Sequence, residues 1–274
     1  MRVFWLGMVL LAVAGLTGAA ERLDLSADEI IQRAVVRSER QYHAMSDAGF
    51  TSRVESEFRS LDATGKVTKN EVTVSRRYPL AGALFDEVVE RDGKKLSQRE
   101  ARTEEKRKVE FVREVEKRRA AGEHPQPEAG PGVRLNDDLI SRYRLTLAGT
   151  GTLRGHTCWK IDFEPKSGKL PMKKRIDGAL NKSTGRFWIS QEDYGLVKLE
   201  FAMREPYKYW GGFLATINDT DAALEFERVA TDVWVPQSFD LGFDIKILMM
   251  ASIRRRLVRR WFDYQPAQTA ATIQ

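Results

Sequence analysis

A single cysteine, Cys158, in 274 residues excludes an intramolecular disulfide framework. Three histidines, His43, His124 and His156, lie too far apart to give the spacing of a zinc site. The chain carries no G-x-S-x-G elbow, no H-E-x-x-H, no P-loop and no glycine fingerprint between a strand and a helix. The common hydrolase, metalloprotease and nucleotide-binding signatures are therefore absent, and the expectation is a protein that is not an enzyme and needs no cofactor or metal. Cys158 lies between Thr157 and Trp159 at the start of a strand and is read as a small semi-buried residue rather than a nucleophile. After the first twenty residues, no apolar run is long enough to span a bilayer.

The first twenty residues are of another kind. Arg2 precedes an apolar stretch from Val3 to Leu16, and Gly18, Ala19 and Ala20 precede the charged Glu21. This is the pattern of a secretory signal peptide cleaved near Ala20. No cysteine follows to accept a lipid, so the expected mature protein is periplasmic and not lipidated. The composition of the whole chain, 42% hydrophobic and 31% charged with 13 Phe, 7 Tyr and 6 Trp, suits a folded core. The formal charge is +6, and it is not evenly spread.

From Ser26 the sequence predicts a helix. Ser26 and Glu29 form a capping-box signature, and Ile30, Ile31, Ala34, Val35, Tyr42 and Met45 recur at helical spacing before Gly49. The period then becomes two. Phe50, Val54 and Phe58 share a face with Ser52 and Ser56, while Arg53, Glu55, Glu57 and Arg59 take the other. A turn at Ala63, Thr64 and Gly65 leads back through Val72 and Val74, and a further strand from Phe85 to Glu90 ends at Asp92 and Gly93. Gln98 to Arg119 carries nine basic and six acidic residues, with Glu104 four before Lys108 and Glu114 four before Arg118. That segment predicts a solvated helix docked by a thin apolar stripe. AAGEHPQPEAGPG then ends it as a loop.

The second half alternates repeatedly. Trp159, Ile161 and Phe163 form one series, Val197, Leu199, Phe201 and Met203 a second, and Phe239 through Ile247 at every other residue the longest. Turn sequences between neighbours predict a largely antiparallel sheet connected in sequence order. Two segments stand out. YKYWGGF, residues 207–213, offers aromatics around two glycines, as a ligand platform or a glycine bulge in a core strand. Ile253 to Phe262 contains Arg254, Arg255, Arg256, Arg259 and Arg260, suited to an anionic membrane surface or to a charged edge strand. Export disfavours nucleic acid as a partner.

Arg76, Arg77, Tyr78 and Pro79 resemble the strand ending in Arg-Pro of the LolA/LolB-like periplasmic lipoprotein carriers, in their outer-membrane lipoprotein-sorting-like branch. Arg91, Asp92, Gly93, Lys94, Lys95 and Leu96 resemble that family's Ser-Asp-Gly-Lys-x-Leu turn. The resemblance covers residues 28–96 in order and spacing, and the later strands in kind. It implies an α+β fold, a strongly curved antiparallel β-sheet forming an incomplete barrel, with helices covering the concave face. It also implies lipid or lipoprotein acyl chains held in that concavity, with an arginine before the proline stabilising a lid. Tyr78 intervenes here, and alternation from Val72 and Val74 assigns Arg76 rather than Arg77 to the apolar side.

The expected organisation is a signal peptide (1–20), one domain (21–265) containing the charged helix (97–120) and the Pro/Gly loop (121–133), and a disordered tail (266–274). The expected ligand-binding residues are Phe50, Val54, Phe58, Val72, Val74, Arg76, Arg77, Val197, Leu199, Phe201, Phe243 and Ile245. The expected function is an exported lipid- or lipoprotein-binding carrier. The alternative is a non-catalytic envelope interaction module whose concavity is filled by its own side chains.

Overall fold

A computed structural model describes residues 25–122, 135–172, 177–209, 215–231, 233–247 and 251–267. The signal segment, His124, most of the Pro/Gly loop, residues 210–213 of the aromatic segment and the end of the tail lie outside them, as do the side chains of residues 42–48. Helix α1 spans Ala27–Ala48. Its start is set by the reciprocal cap: Glu29 N donates to Ser26 Oγ, and Ser26 N donates to the Glu29 carboxylate. Ile30, Ile31, Ala34 and Val35 are at most 1% exposed, so one stripe of the helix is wholly buried. The helix ends at Gly49, whose positive φ suits a left-handed cap and where a Cβ would meet Pro79 Cγ at 2.6 Å.

The remaining elements are β1 (Phe50–Leu61), β2 (Val67–Leu80), β3 (Ala83–Arg91), β4 (Lys94–Lys95), α2 (Gln98–Ala120), α3 (Asp137–Ile140), β5 (Tyr143–Leu153), β6 (His156–Pro165), α4 (Asp177–Leu180), β7 (Ser183–Ser190), β8 (Leu196–Met203), β9 (Tyr207–Tyr209), β10 (Ala215–Ala230), β11 (Val233–Ile247) and β12 (Ala251–Pro266). The strands make one sheet in the order β4-β3-β2-β1-β12-β11-β10-β8-β7-β6-β5, with β9 added to β10. Every pairing is antiparallel. Two meanders, β1 to β4 and β5 to β12, are thus joined side by side through β1 and β12. Two-residue turns with positive φ at both positions, Ala81-Gly82, Asp92-Gly93 and Arg154-Gly155, supply the tight reversals.

Curvature follows from what the sheet touches. The seven strand spacings from β1 to β5 laid flat would cover about 34 Å, whereas a helix with its side chains is about 10 Å across. Yet the buried stripe of α1 belongs to one apolar cluster with Val54 of β1, Tyr143 of β5, Ile161 of β6, Phe187 of β7, Leu199 of β8, Leu224 of β10, Phe239 of β11 and Trp261 of β12. Strands that far apart share one small core only if the sheet curls round the helix. Leu135 with Leu139 and Ile140 of α3 close the same cluster near β5 and β6. The sheet is not closed into a barrel, because β4 and β5 remain its two edges.

On the concave face lie α1 and α3, while α2 lies elsewhere. Phe111 of α2 packs on Phe85 at 4.9 Å, Arg107 lies over the same ring, and Lys108 approaches Glu87 and Tyr78. Phe85 and Glu87 pair in register with Tyr78 and Arg76, and Arg76 pairs with Arg53 on the reverse face of β1. α2 is therefore a brace on the outside of β2 and β3. Glu114 pairs with Arg118 at 3.0 Å, as its spacing predicts. Glu104 does not pair with Lys108: it accepts from Val88 N and from Arg107, because it faces the sheet. A further correction concerns β12, which lies between β1 and β11 and is no edge strand. Its arginines are not guarding an edge.

Candidate functional site: the open half of the concave face

Register divides the concave face into rows of side chains, since directly opposed residues on antiparallel strands share a face. One row runs Ser56, Arg259, Phe239, Leu224, Leu199, Phe187, Ile161. Its apolar members are at most 4% exposed beneath α1. The next row, two residues along each strand, runs Phe58, Leu257, Leu241, Ala222, Phe201, Gly185, Phe163. Here burial changes along the row: Phe163 is 4% exposed under α3, Leu241 and Leu257 are half-buried, and Phe58 is 40% exposed. Beyond it lie Ser60, Arg255, Phe243 and Thr220, then Ile253, Ile245 and Ile217, with the aromatic and aliphatic members half-buried. α1 thus fills one half of the concavity and leaves an apolar floor at the β1, β12 and β11 end.

The sequence-predicted residues distribute unevenly over this surface. Phe58, Phe201, Phe243 and Ile245 lie on the open floor. Val54 and Leu199 are concave-facing but form core with α1. Phe50 begins β1 opposite Pro266, at the end remote from the floor. Val197 is fully buried in a separate cluster with Cys158 and Trp234. Val72 and Val74 are opposite Glu57 and Glu55, so they face away from the concavity, toward the side braced by α2. Leu257, Leu241 and Ile253 are floor residues missing from the predicted set. The signal was present: Ile253, Leu257 and Trp261 alternate through a run that its arginines make look uniformly basic.

The arginine assignment is reversed. Ser52 pairs with Arg77 and Arg53 with Arg76, which puts Arg77 on the concave side and Arg76 on the reverse. Arg77 is 2% exposed; its Nε and Nη2 donate to Asp86 at 2.5 and 2.8 Å, and its guanidinium stacks over Trp261 at 5.5 Å. Arg259 stacks near the same indole at 5.7 Å, donates to Ser56 Oγ and lies 3.5 Å from Asp86. Burial pushes the Arg259 guanidinium below its usual value, with Asp86 acting the other way and Arg77 reinforcing the depression. Arg76 is solvent-facing and pairs with Glu87. Of the other β12 arginines, Arg254 holds Asp244, Arg256 holds Asp240 and Asp221, and Arg260 approaches Glu55, all on the reverse face.

A polar latch fixes the second half of α1 at the opposite end. Arg37 Nη2 and Trp234 Nε1 donate to the same Asp193 oxygen at 2.9 and 2.8 Å, and Gly195 N donates to the other. Gln41 accepts from Arg37 and from Trp234 N, and donates to Trp234 O. Arg33 donates to the Tyr194 hydroxyl. Burial works to raise the Asp193 pKa, but the hydrogen bonds and the Arg37 charge outweigh it and hold the carboxyl below its ordinary value.

Chemical groups of another kind are scarce. Cys158 is fully buried, and burial pushes its thiol up to about 11, away from the reactive thiolate. His156 packs against Trp234. Among the described residues no group of three His, Cys, Asp or Glu side chains is arranged to hold a metal ion, and no helix is long and apolar enough to cross a membrane.

No family model and no curated protein matches the chain. Solved structures do resemble it. A LolA superfamily protein from Nitrosomonas europaea is similar at 9% identity over 89% of this chain and 94% of that one, with a TM-score of 0.32. An outer membrane lipoprotein-sorting protein domain from Vibrio parahaemolyticus is similar at 13% identity over 90% and 95%, with a TM-score of 0.33. The MucA/MucB complex of Pseudomonas aeruginosa is similar at 9% identity over 86% and 99%, with a TM-score of 0.23. The architecture itself rests on the strand order and register given above. The chain is an open, curled antiparallel sheet that resembles LolA superfamily and lipoprotein-sorting structures.

Proposed function

We propose that this protein is an exported, non-catalytic carrier that holds an acyl chain or another apolar ligand on the open floor of the concavity. One observation carries the reading: beyond α1, the concave row from Phe58 through Leu257 and Leu241 to Phe201 stays apolar while its burial falls toward Phe58. Four strand spacings give that row a length of about 19 Å, long enough for an extended acyl chain. Apolar side chains in a concave, half-covered surface are what a hydrocarbon ligand requires, since each buried methylene contributes about 0.8 kcal/mol. The signal-like segment ahead of α1 supports delivery to the periplasm, where lipoprotein acyl chains are a fitting cargo. Binding and release are passive in this reading. The net positive charge of α2, nine basic against six acidic residues from Gln98 to Arg119, would orient the carrier at an anionic membrane.

The second reading, an interaction module with a filled interior, is favoured by the way α1 and α3 already occupy half of the concavity. Titration with the uncharged fluorophore N-phenyl-1-naphthylamine separates the two. A carrier gives a saturable rise in emission near one site per chain, weakened at least tenfold by Leu257→Asp and by Leu241→Asp. No saturable binding, or binding indifferent to both substitutions, would favour the filled module.

A further inference from the structure

Among the described residues, Arg255 is the cation of the floor that stands on the ligand side without a carboxylate partner. Arg255 pairs in register with Ser60 on one neighbour and Phe243 on the other, which places it on the concave face, one row beyond Phe58 and Leu257. It is exposed, and among the described residues it has no hydrogen-bond or ion-pair partner, whereas the other four arginines of its strand each have a carboxylate within reach. The charged neighbours on the same face of β2 are Lys69 and Glu71, which pair with each other at 3.0 Å. Their charges cancel locally. One uncompensated guanidinium therefore stands at the exposed end of an apolar row, flanked by the Ser60 hydroxyl.

We infer that the ligand of this concavity is an amphiphile with one anionic headgroup, carboxylate or phosphate, and that Arg255 binds that headgroup at the mouth while the chain lies on the row from Phe58 to Phe201. The inference rests on the apolar-ligand reading and adds the polarity of the ligand to it. A guanidinium matches either oxyanion with two parallel N–H donors. It also orders the ligand: head outward beside Phe58, tail toward the covered end at Phe163. A neutral chain end would leave the guanidinium to water alone and give no preference for a charged head.

Displacement of N-phenyl-1-naphthylamine by palmitate, methyl palmitate and 1-palmitoyl lysophosphatidate tests it. The wild-type protein should take palmitate or lysophosphatidate about tenfold more tightly than the methyl ester, a margin of one charge-assisted contact. Arg255→Gln should erase the preference, and Arg59→Gln, which removes the same charge from the reverse face of the adjacent strand, should keep it. Whichever anion shows the preference identifies carboxylate or phosphate as the natural head. Raising salt from about 50 to 500 mM should weaken the anion and spare the ester, a readout independent of any variant. Equal displacement by acid and ester, a preference that survives Arg255→Gln, or displacement by inorganic phosphate alone would overturn the inference while leaving apolar binding standing. Failure of all three amphiphiles would remove the carrier reading with it.

Discussion

Arg76 and Arg77 differ by one position and by a whole environment. The Arg77 guanidinium is enclosed between Asp86 and Trp261, so truncation would strand the carboxylate and expose the indole to a void; Arg76 holds Glu87 at the solvent. Arg77→Ala is expected to cost about 3 kcal/mol, and Arg76→Ala less than about 1 kcal/mol, in urea unfolding midpoints. Equal losses would contradict the placement. Sequence alternation gives a strand's period but not which of its faces meets the core. In β1 the apolar face was concave. In β2 the valines point to the reverse side braced by α2, and the concave positions are the polar Thr73, Ser75 and Arg77. Cys158 illustrates the easier case, a small residue in a strand of alternating apolar character. With its thiol raised to about 11 by burial, it should not react with Ellman's reagent in native protein at pH 8 and should give one thiol per chain after denaturation.

The elements were largely legible and their partners were not. The capping box and apolar stripe of α1, the alternation of β1 and the charged run of α2 are local signals, and the helices and strands appear where those signals lie. The Arg37, Gln41, Asp193 and Trp234 latch joins positions more than 150 residues apart, and nothing local announces it. That latch makes α1 sensitive to acid. Asp193 has a folded-state pKa below its unfolded value of about 3.9, so its contribution is complete above that value and is lost as pH falls through the folded value. Asp193→Asn should therefore lower the melting temperature at pH 7, and the gap to wild type should narrow below about pH 4. A gap that stays constant down to pH 2 would show that the carboxylate does not hold the helix.

At the scale of the molecule, the half-barrel character came from a resemblance of motifs and from the number of alternating strands. The division of the concavity came from neither. It depends on how far α1 reaches, and the helix covers the rows through Leu224 and Leu199 while the rows through Leu241 and Phe243 lie beyond it. The β12 segment shows why composition hid this. Five arginines within ten residues make it look like a charged edge, yet register sends Arg254, Arg256 and Arg260 to the reverse face and leaves Ile253, Arg255 and Leu257 on the floor. On the proposed reading this floor receives a ligand rather than a neighbouring side chain. Native mass spectrometry of the protein purified from the periplasm without detergent tests it most directly. One acyl-bearing molecule per chain is expected, recoverable in organic extract and lost in Leu257→Asp; a wild-type chain carrying no bound molecule and acquiring none from added lipid would show that the floor takes no such ligand.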